Sequence, residues 1–287
     1  MTSTAREQSS SLGAETSSAK APGHYAEVNG INLYYEIHGS GRPLVLLHGG
    51  LTAGSMFGPN IPALAEGHQV VLVDLQGHGR TADIDRPLSV YFMADDIAAL
   101  LKHLGIAKAD IVGYSLGGGV ALQTAARHPE VVNKLVLAST PIRRDAFYAD
   151  ILAQQGQINA NMADAMKQTP MYQLYASVAP RPQDWSRLIG KIGEAMKEDF
   201  DFAPQVAAVT APTLVIAGDA DIFPPAHAVE VFGLLGGGKR DGGWDGSGQP
   251  KSRLAILPGL THYTIGNSPA LAAAVIPFLD DQPATNQ

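Results

Sequence analysis

The stretch Ala109-Asp110-Ile111-Val112-Gly113-Tyr114-Ser115-Leu116-Gly117 changes character at its serine. Ahead of it lies a short apolar run broken only by Asp110, and behind it Gly118-Gly119-Val120-Ala121-Leu122-Gln123-Thr124-Ala125-Ala126 reads as a helix. A strand that turns sharply into a helix at a G-x-S-x-G pentapeptide is the pattern of a nucleophile elbow. There the flanking glycines let strand and helix approach, and the serine sits strained with its hydroxyl exposed above a sheet. A serine that only caps the following helix is the plainer alternative, so the rest of the chain must decide.

Working outward, short aliphatic runs alternate with helical patterns. Tyr25–Val28 and Ile31–Ile37 flank Asn29-Gly30, a strong hairpin signal that predicts an antiparallel start. Leu44–Leu47 and Val70–Val73 are continuous aliphatic blocks, as strands buried on both faces should be, and Ala109–Tyr114, Leu135–Ala138, Pro212–Ala217 and Ser252–Leu257 are further apolar-rich runs read as strands. Between them, Ser55–Ala65 supplies a crossing helix, and Met93, Ile97, Leu100 and Leu104 recur at helical spacing. Helices are also predicted over Ala226–Leu235 and Pro269–Leu279, with Pro258–Tyr263 as the last loop. The fold class is α/β: a mostly parallel sheet with an antiparallel N-terminal start and helices on both faces.

Residues 141–209 break the alternation, because their apolar positions fall only at helical spacings; they read as an inserted helical cap. The core is then 24–140 together with 210–281, with a disordered tail over 1–23 and a short C-terminal tail over 282–287. The glycine-rich 236–250 reads as a mobile loop.

Composition narrows the function. A formal charge of −7, from 20 basic and 27 acidic residues with no basic stripe, removes the driving force for nucleic-acid binding. No apolar run approaches the roughly 20 residues of a membrane span, and 1–23 lacks the apolar block of a signal peptide, so a cytoplasmic location is expected. The chain has no cysteine, which excludes disulfides and a thiol nucleophile. None of the nine histidines has the paired spacing of a metal site, so neither metal nor cofactor is expected.

Ser115 needs a base, and the base needs a carboxylate to fix its tautomer. Downstream, Asp219 and Asp221 follow one strand and His262 follows the next, in the order Ser, Asp, His that this kind of elbow uses. Two amides aimed at the oxyanion are also needed: Leu116, directly after the serine, and Gly50, after the first central strand, with Leu51 as its neighbouring alternative. In the cap, Met171, Tyr172, Tyr175 and Trp185 are candidates to line the acyl pocket, or else ordinary packing. His48 is expected to order the loop that follows it.

Together, Leu44–Gly50, Asp74-x-x-Gly77-His78-Gly79, Gly113–Gly117, Gly218–Asp221 and Gly259–His262 resemble the α/β-hydrolase superfamily, in particular its compact capped bacterial serine esterases and their haloperoxidase-like and lactonase-like relatives. The resemblance implies acyl transfer through a serine ester on a small, largely uncharged ester substrate, without a cofactor. It also favours Asp221 over Asp219, since such proteins place the acid third after the glycine. Members that dehalogenate or open epoxides carry an aspartate at the elbow, which Ser115 argues against. Leu51-Thr52 departs from the H-G-G-P-G loop of iminopeptidases. Lactonase, perhydrolase, C–C bond hydrolase and non-enzymatic receptor roles share the same constellation.

Overall fold

A computed structural model describes residues 21–281; residues 1–20 and 282–287, read from the sequence as tail, lie outside the described residues. β1 (Gly23–Val28) and β2 (Ile31–His38) form a hairpin closed by Asn29 and Gly30, both at positive φ (48° and 79°), the two-residue turn whose twist matches its strands. Next come β3 (Arg42–Leu47), a short helix α1 (Asn60–Ala65) and β4 (His68–Val73). α2 (Val90–His103), β5 (Ala109–Tyr114), α3 (Leu116–Arg127) and β6 (Val132–Ala138) complete the first half. The crossing helix expected over Ser55–Ala65 is split into a single 3₁₀ turn at Gly54–Phe57 and α1, because Gly58 takes a positive φ of 44° and Pro59 follows it.

Between β6 and the next strand lie α4 (Ala149–Gln157), α5 (Pro170–Val178), α6 (Trp185–Ala195) and α7 (Ala203–Ala208). The two ends of this insert are tied together: Arg144 N–H donates to Phe200 O (3.0 Å) and Phe202 N–H to Ile142 O (2.7 Å). β7 (Thr213–Ala220), α8 (Pro225–Leu234), β8 (Arg253–Thr261), the single turn α9 (His262–Ile265) and α10 (Pro269–Asp280) end the chain.

One eight-stranded sheet, ordered β1-β2-β4-β3-β5-β6-β7-β8, runs parallel from β4 to β8, with β1 and β2 antiparallel at one edge. Its central strands β3 to β6 bury both faces. Leu44, Leu46, Val112 and Val136 pack with α1 and α10 on one side, while Val45, Leu47, Ile111 and Leu137 pack with α2, α3 and α8 on the other. The continuous apolar runs of the sequence are thus explained residue by residue.

β8 departs from expectation. It continues through Pro258-Gly259-Leu260, read as a loop, and pairs Thr261 with Ala220 of an equally extended β7. Pro258 is tolerated because β8 is the edge strand. A Cβ on Gly218 would lie 2.1 Å from Leu260 O, so the glycine is what lets the two extensions close.

Candidate active site

The serine sits where β5 meets α3, at φ 53° and ψ −116°, a left-handed backbone that a non-glycine residue adopts only when its surroundings enforce it. Those surroundings are tight. A Cβ on Gly113 would stand 2.2 Å from Gly117 O, and one on Gly117 would stand 2.2 Å from Leu47 O, so both flanking glycines are required by close backbone approach. Ser115 O accepts from the amides of Gly118 (2.9 Å) and Gly119 (3.1 Å), whereas Leu116 N–H, first in the helix, has no intrahelical acceptor.

β7 and β8 deliver the other two groups. Asp221 follows β7 directly, and His262 opens α9 directly after β8, where a capping box between Thr261 and Thr264 fixes the turn. His262 Nε2 lies 3.0 Å from Ser115 Oγ, and His262 Nδ1 lies 2.8 Å from Asp221 Oδ1. Burial pushes the Asp221 carboxyl up, but the His262 hydrogen bond and charge, the Ser139 hydroxyl and the Ile222 amide outweigh it and hold the group below its usual range. Asp221 is therefore a carboxylate over the whole neutral range, and a carboxylate at Nδ1 keeps the proton there and leaves Nε2 free to accept from the serine. The alternative acid, Asp219, is exposed and turned away; its Oδ1 accepts from Gly259 N–H at 2.8 Å.

The loop after β3 lies beside the elbow, since a Cβ built on Gly49 would come within 3.4 Å of Ser115 Cβ. His48, fully buried, organises this loop: Nδ1 donates to Gly49 O (2.7 Å) and Nε2 accepts from Leu75 N–H (3.0 Å). Burial lowers its pKa to about 4, so it is neutral and acts as a brace. Leu51, at φ 58°, makes the tight bend; Gly50 does not need a left-handed backbone.

Of the four residues considered for an acyl pocket, Trp185 and Tyr175 are buried in the insert's own interior. Their rings are 5.2 Å apart, Tyr172 meets Trp185 edge-on at 5.4 Å, and Trp185 Nε1–H donates to Ala163 O. Met171 is exposed on α5. An insert residue that does reach the loop beside the elbow is Ile192 on α6, whose Cδ1 lies 3.8 Å from the Cβ position of Gly50.

Comparison with known proteins agrees with this architecture. The α/β-hydrolase fold family matches residues 42–170, from β3 into the insert. A non-heme haloperoxidase of Rhodococcus erythropolis is 25% identical over 284 residues, 88% of this chain and 97% of that protein. The enol-lactonase of Burkholderia xenovorans superposes with a TM-score of 0.67 over 90% of this chain and 100% of its own, at 24% identity, a likeness of fold. The chain has the α/β-hydrolase fold. RutD of Azorhizobium caulinodans, provisionally named a carbamate hydrolase, is 40% identical over 124 residues; the matched part of the chain spans 46% of that relative's length.

Within this site two side chains carry structure that sequence reasoning missed. Ser139, fully buried at the end of β6 and at φ 49°, donates its hydroxyl to Asp221 Oδ2 at 2.5 Å. Tyr114 donates its hydroxyl to the carbonyl of His262 and lies against the imidazole, with ring centroids 5.3 Å apart. Tyr114 had a signal, being the middle residue of Gly-x-Ser; Ser139 had none. The Asp74-x-x-Gly77-His78-Gly79 motif also finds its reason here. Asp74 accepts from Gly54 N–H (2.7 Å) and Arg80 N–H (2.8 Å), tying the loops after β3 and β4 together, and a Cβ on Gly79 would strike its carboxylate.

Proposed function

We propose that the protein is a serine hydrolase that cleaves carboxylic esters of small to medium, largely uncharged substrates through an acyl-enzyme intermediate. The observation that carries this reading is the unbroken chain from Ser115 Oγ to His262 Nε2 (3.0 Å) and from His262 Nδ1 to Asp221 (2.8 Å). In the proposed reaction Ser115 Oγ attacks the ester carbonyl and passes its proton to His262 Nε2, while the ionised Asp221 stabilises the imidazolium. The amides of Leu116 and Gly50 hold the oxyanion. Collapse of the tetrahedral adduct expels the alcohol, which takes the proton from His262. Water then attacks the acyl-serine with His262 as base, releasing the acid and restoring the serine.

The helical insert is read as a cap. Its helix α6 is held down by Lys191 and Arg187, whose side chains each lie 2.7 Å from the buried Asp83 carboxylate in the loop after β4. The buried, aliphatic Ile192 of this helix stands beside Gly50, which supports an uncharged substrate.

Replacing Ser115 with Ala should abolish turnover of p-nitrophenyl acetate, and Asp221→Asn should lower kcat by about 10⁴-fold through the wrong histidine tautomer. Retention of wild-type turnover by Ser115→Ala would overturn the proposed reaction. A parallel panel of lactones and carbamates reports which carbonyl the same serine prefers.

A further inference from the structure

Gly50 is a glycine for which the backbone gives no conformational reason. The left-handed residue of the loop is Leu51, at φ 58°. Close packing gives no reason either, since the nearest atoms to a Cβ at Gly50 would be Ile192 Cδ1 at 3.8 Å and Leu116 Cδ2 at 3.9 Å, ordinary van der Waals distances. This contrasts with Gly49, Gly113 and Gly117, where a Cβ would come within 2.6, 2.2 and 2.2 Å of a neighbour. The missing methyl at Gly50 therefore leaves a notch about one methyl group wide. One residue of the core helix α3 and one of the insert helix α6 wall it, beside the elbow that carries Ser115. Ser115, Leu116 and Gly50 each keep part of their surface open, whereas Ile192 is buried. Its position is fixed because the neighbouring Lys191 donates to the carbonyls of Ile84 (2.8 Å) and Arg86 (2.6 Å).

We propose that this notch receives the first carbons of the acyl group and that Ile192 is the residue that limits acyl length, making the enzyme selective for acetyl and other short acyl esters. The inference rests on the ester-hydrolase reading and adds to it a substrate class and a gauge. An acyl chain seated on Gly50 meets the aliphatic ends of Leu116 and Ile192 within one or two methylenes, and each methylene accepted or refused in an apolar pocket changes specificity by about tenfold or more.

The test compares kcat/KM for p-nitrophenyl acetate, butyrate and octanoate in the wild type, Ile192→Ala and Gly50→Ala. Inactivation rates with methyl- and octyl-chain fluorophosphonates, which label the serine without turnover, run alongside. In the wild type, acetate should exceed octanoate by at least a hundredfold. Ile192→Ala should raise the butyrate-to-acetate ratio by about tenfold and accelerate labelling by the octyl probe, while Gly50→Ala should lower the same ratio. Circular dichroism and melting temperature keep a misfolded variant from counting as a selective one. For a folded Ile192→Ala, an unchanged ratio of chain lengths in both esters and probes overturns the proposal and leaves the ester-hydrolase reading standing. Absence of any labelling at Ser115 in the wild type overturns both.

Discussion

Asp221 depends on a hydroxyl that comes from 82 residues away. One of its oxygens faces His262 Nδ1 and the Ile222 amide; the other takes the Ser139 hydroxyl and the amide of Gly218 at 3.3 Å. A hydrogen bond to a charged group is worth about 1.5–3 kcal/mol, so losing the hydroxyl should let the carboxylate swing rather than unfold the protein. We expect Ser139→Ala and Ser139→Gly each to lower kcat for ester turnover by about tenfold at nearly constant KM, a change of about 1.4 kcal/mol in transition-state stabilisation. The glycine variant should melt higher than the alanine variant, because only glycine relaxes the φ of 49° at no cost. Wild-type kcat in both would show that the hydroxyl does not hold the acid. At this scale Ser115 and His262 were legible because strand ends and chain order mark them. Asp221 was preferred to Asp219 only through the resemblance, since strand ends and chain order alone left both open, and Ser139 was invisible because no local pattern announces a partner so distant in sequence.

The elements are held by backbone approach as much as by side chains. At the turn from β5 to α3, a Cβ on Gly117 would lie 2.2 Å from Leu47 O and 2.5 Å from His48 O, both main-chain atoms that cannot swing aside. Gly117→Ala should therefore destabilise the fold by about 3 kcal/mol or more, read as a lower urea midpoint with an unchanged m value. Gly67→Ala, with nothing near its Cβ, should stay close to the wild type. The central strands and α2 were readable from periodicity, since each buries a continuous face. β8 was not. Pro258-Gly259 has the chemistry of a turn, and only a position at the sheet edge, with Gly218 opposite, lets a strand absorb it. The insert was legible as helical, but which of its residues approach Gly50 was not. α6 buries Trp185 at one end and brings Ile192 at the other beside Gly50, an outcome of how the helix is anchored through Arg187 and Lys191.

The whole molecule carries a pH liability in its buried imidazoles. Burial lowers His48 to about 4, and burial together with the nearby His48 lowers His78 to about 3, both from an ordinary 6.5. The folded protein thus keeps both neutral while the unfolded chain protonates them below 6.5, so stability is lost as pH falls from 6.5 toward 4, by about 1.4 kcal/mol per pH unit for each histidine. His78 Nδ1 lies 2.8 Å from Gln76 O, a bond that asparagine can imitate. His78→Asn should therefore fold and show a shallower fall of the urea midpoint over this range, by one proton's worth. An identical slope would mean that His78 titrates normally.

The stretch 236–250 joins α8 to β8 as a run of turns, with the Trp244 side chain fully in solvent. It lies between Asp221 and His262 in the chain, while the partners of β8 are backbone groups of β7. A break there would put the nucleophile and the acid on one polypeptide and the proton carrier on another, with sheet pairing as the means of reuniting them. Hydrolysis would then report whether two separately made pieces have met, and fusing each piece to a different protein would convert colour release into a measure of their encounter.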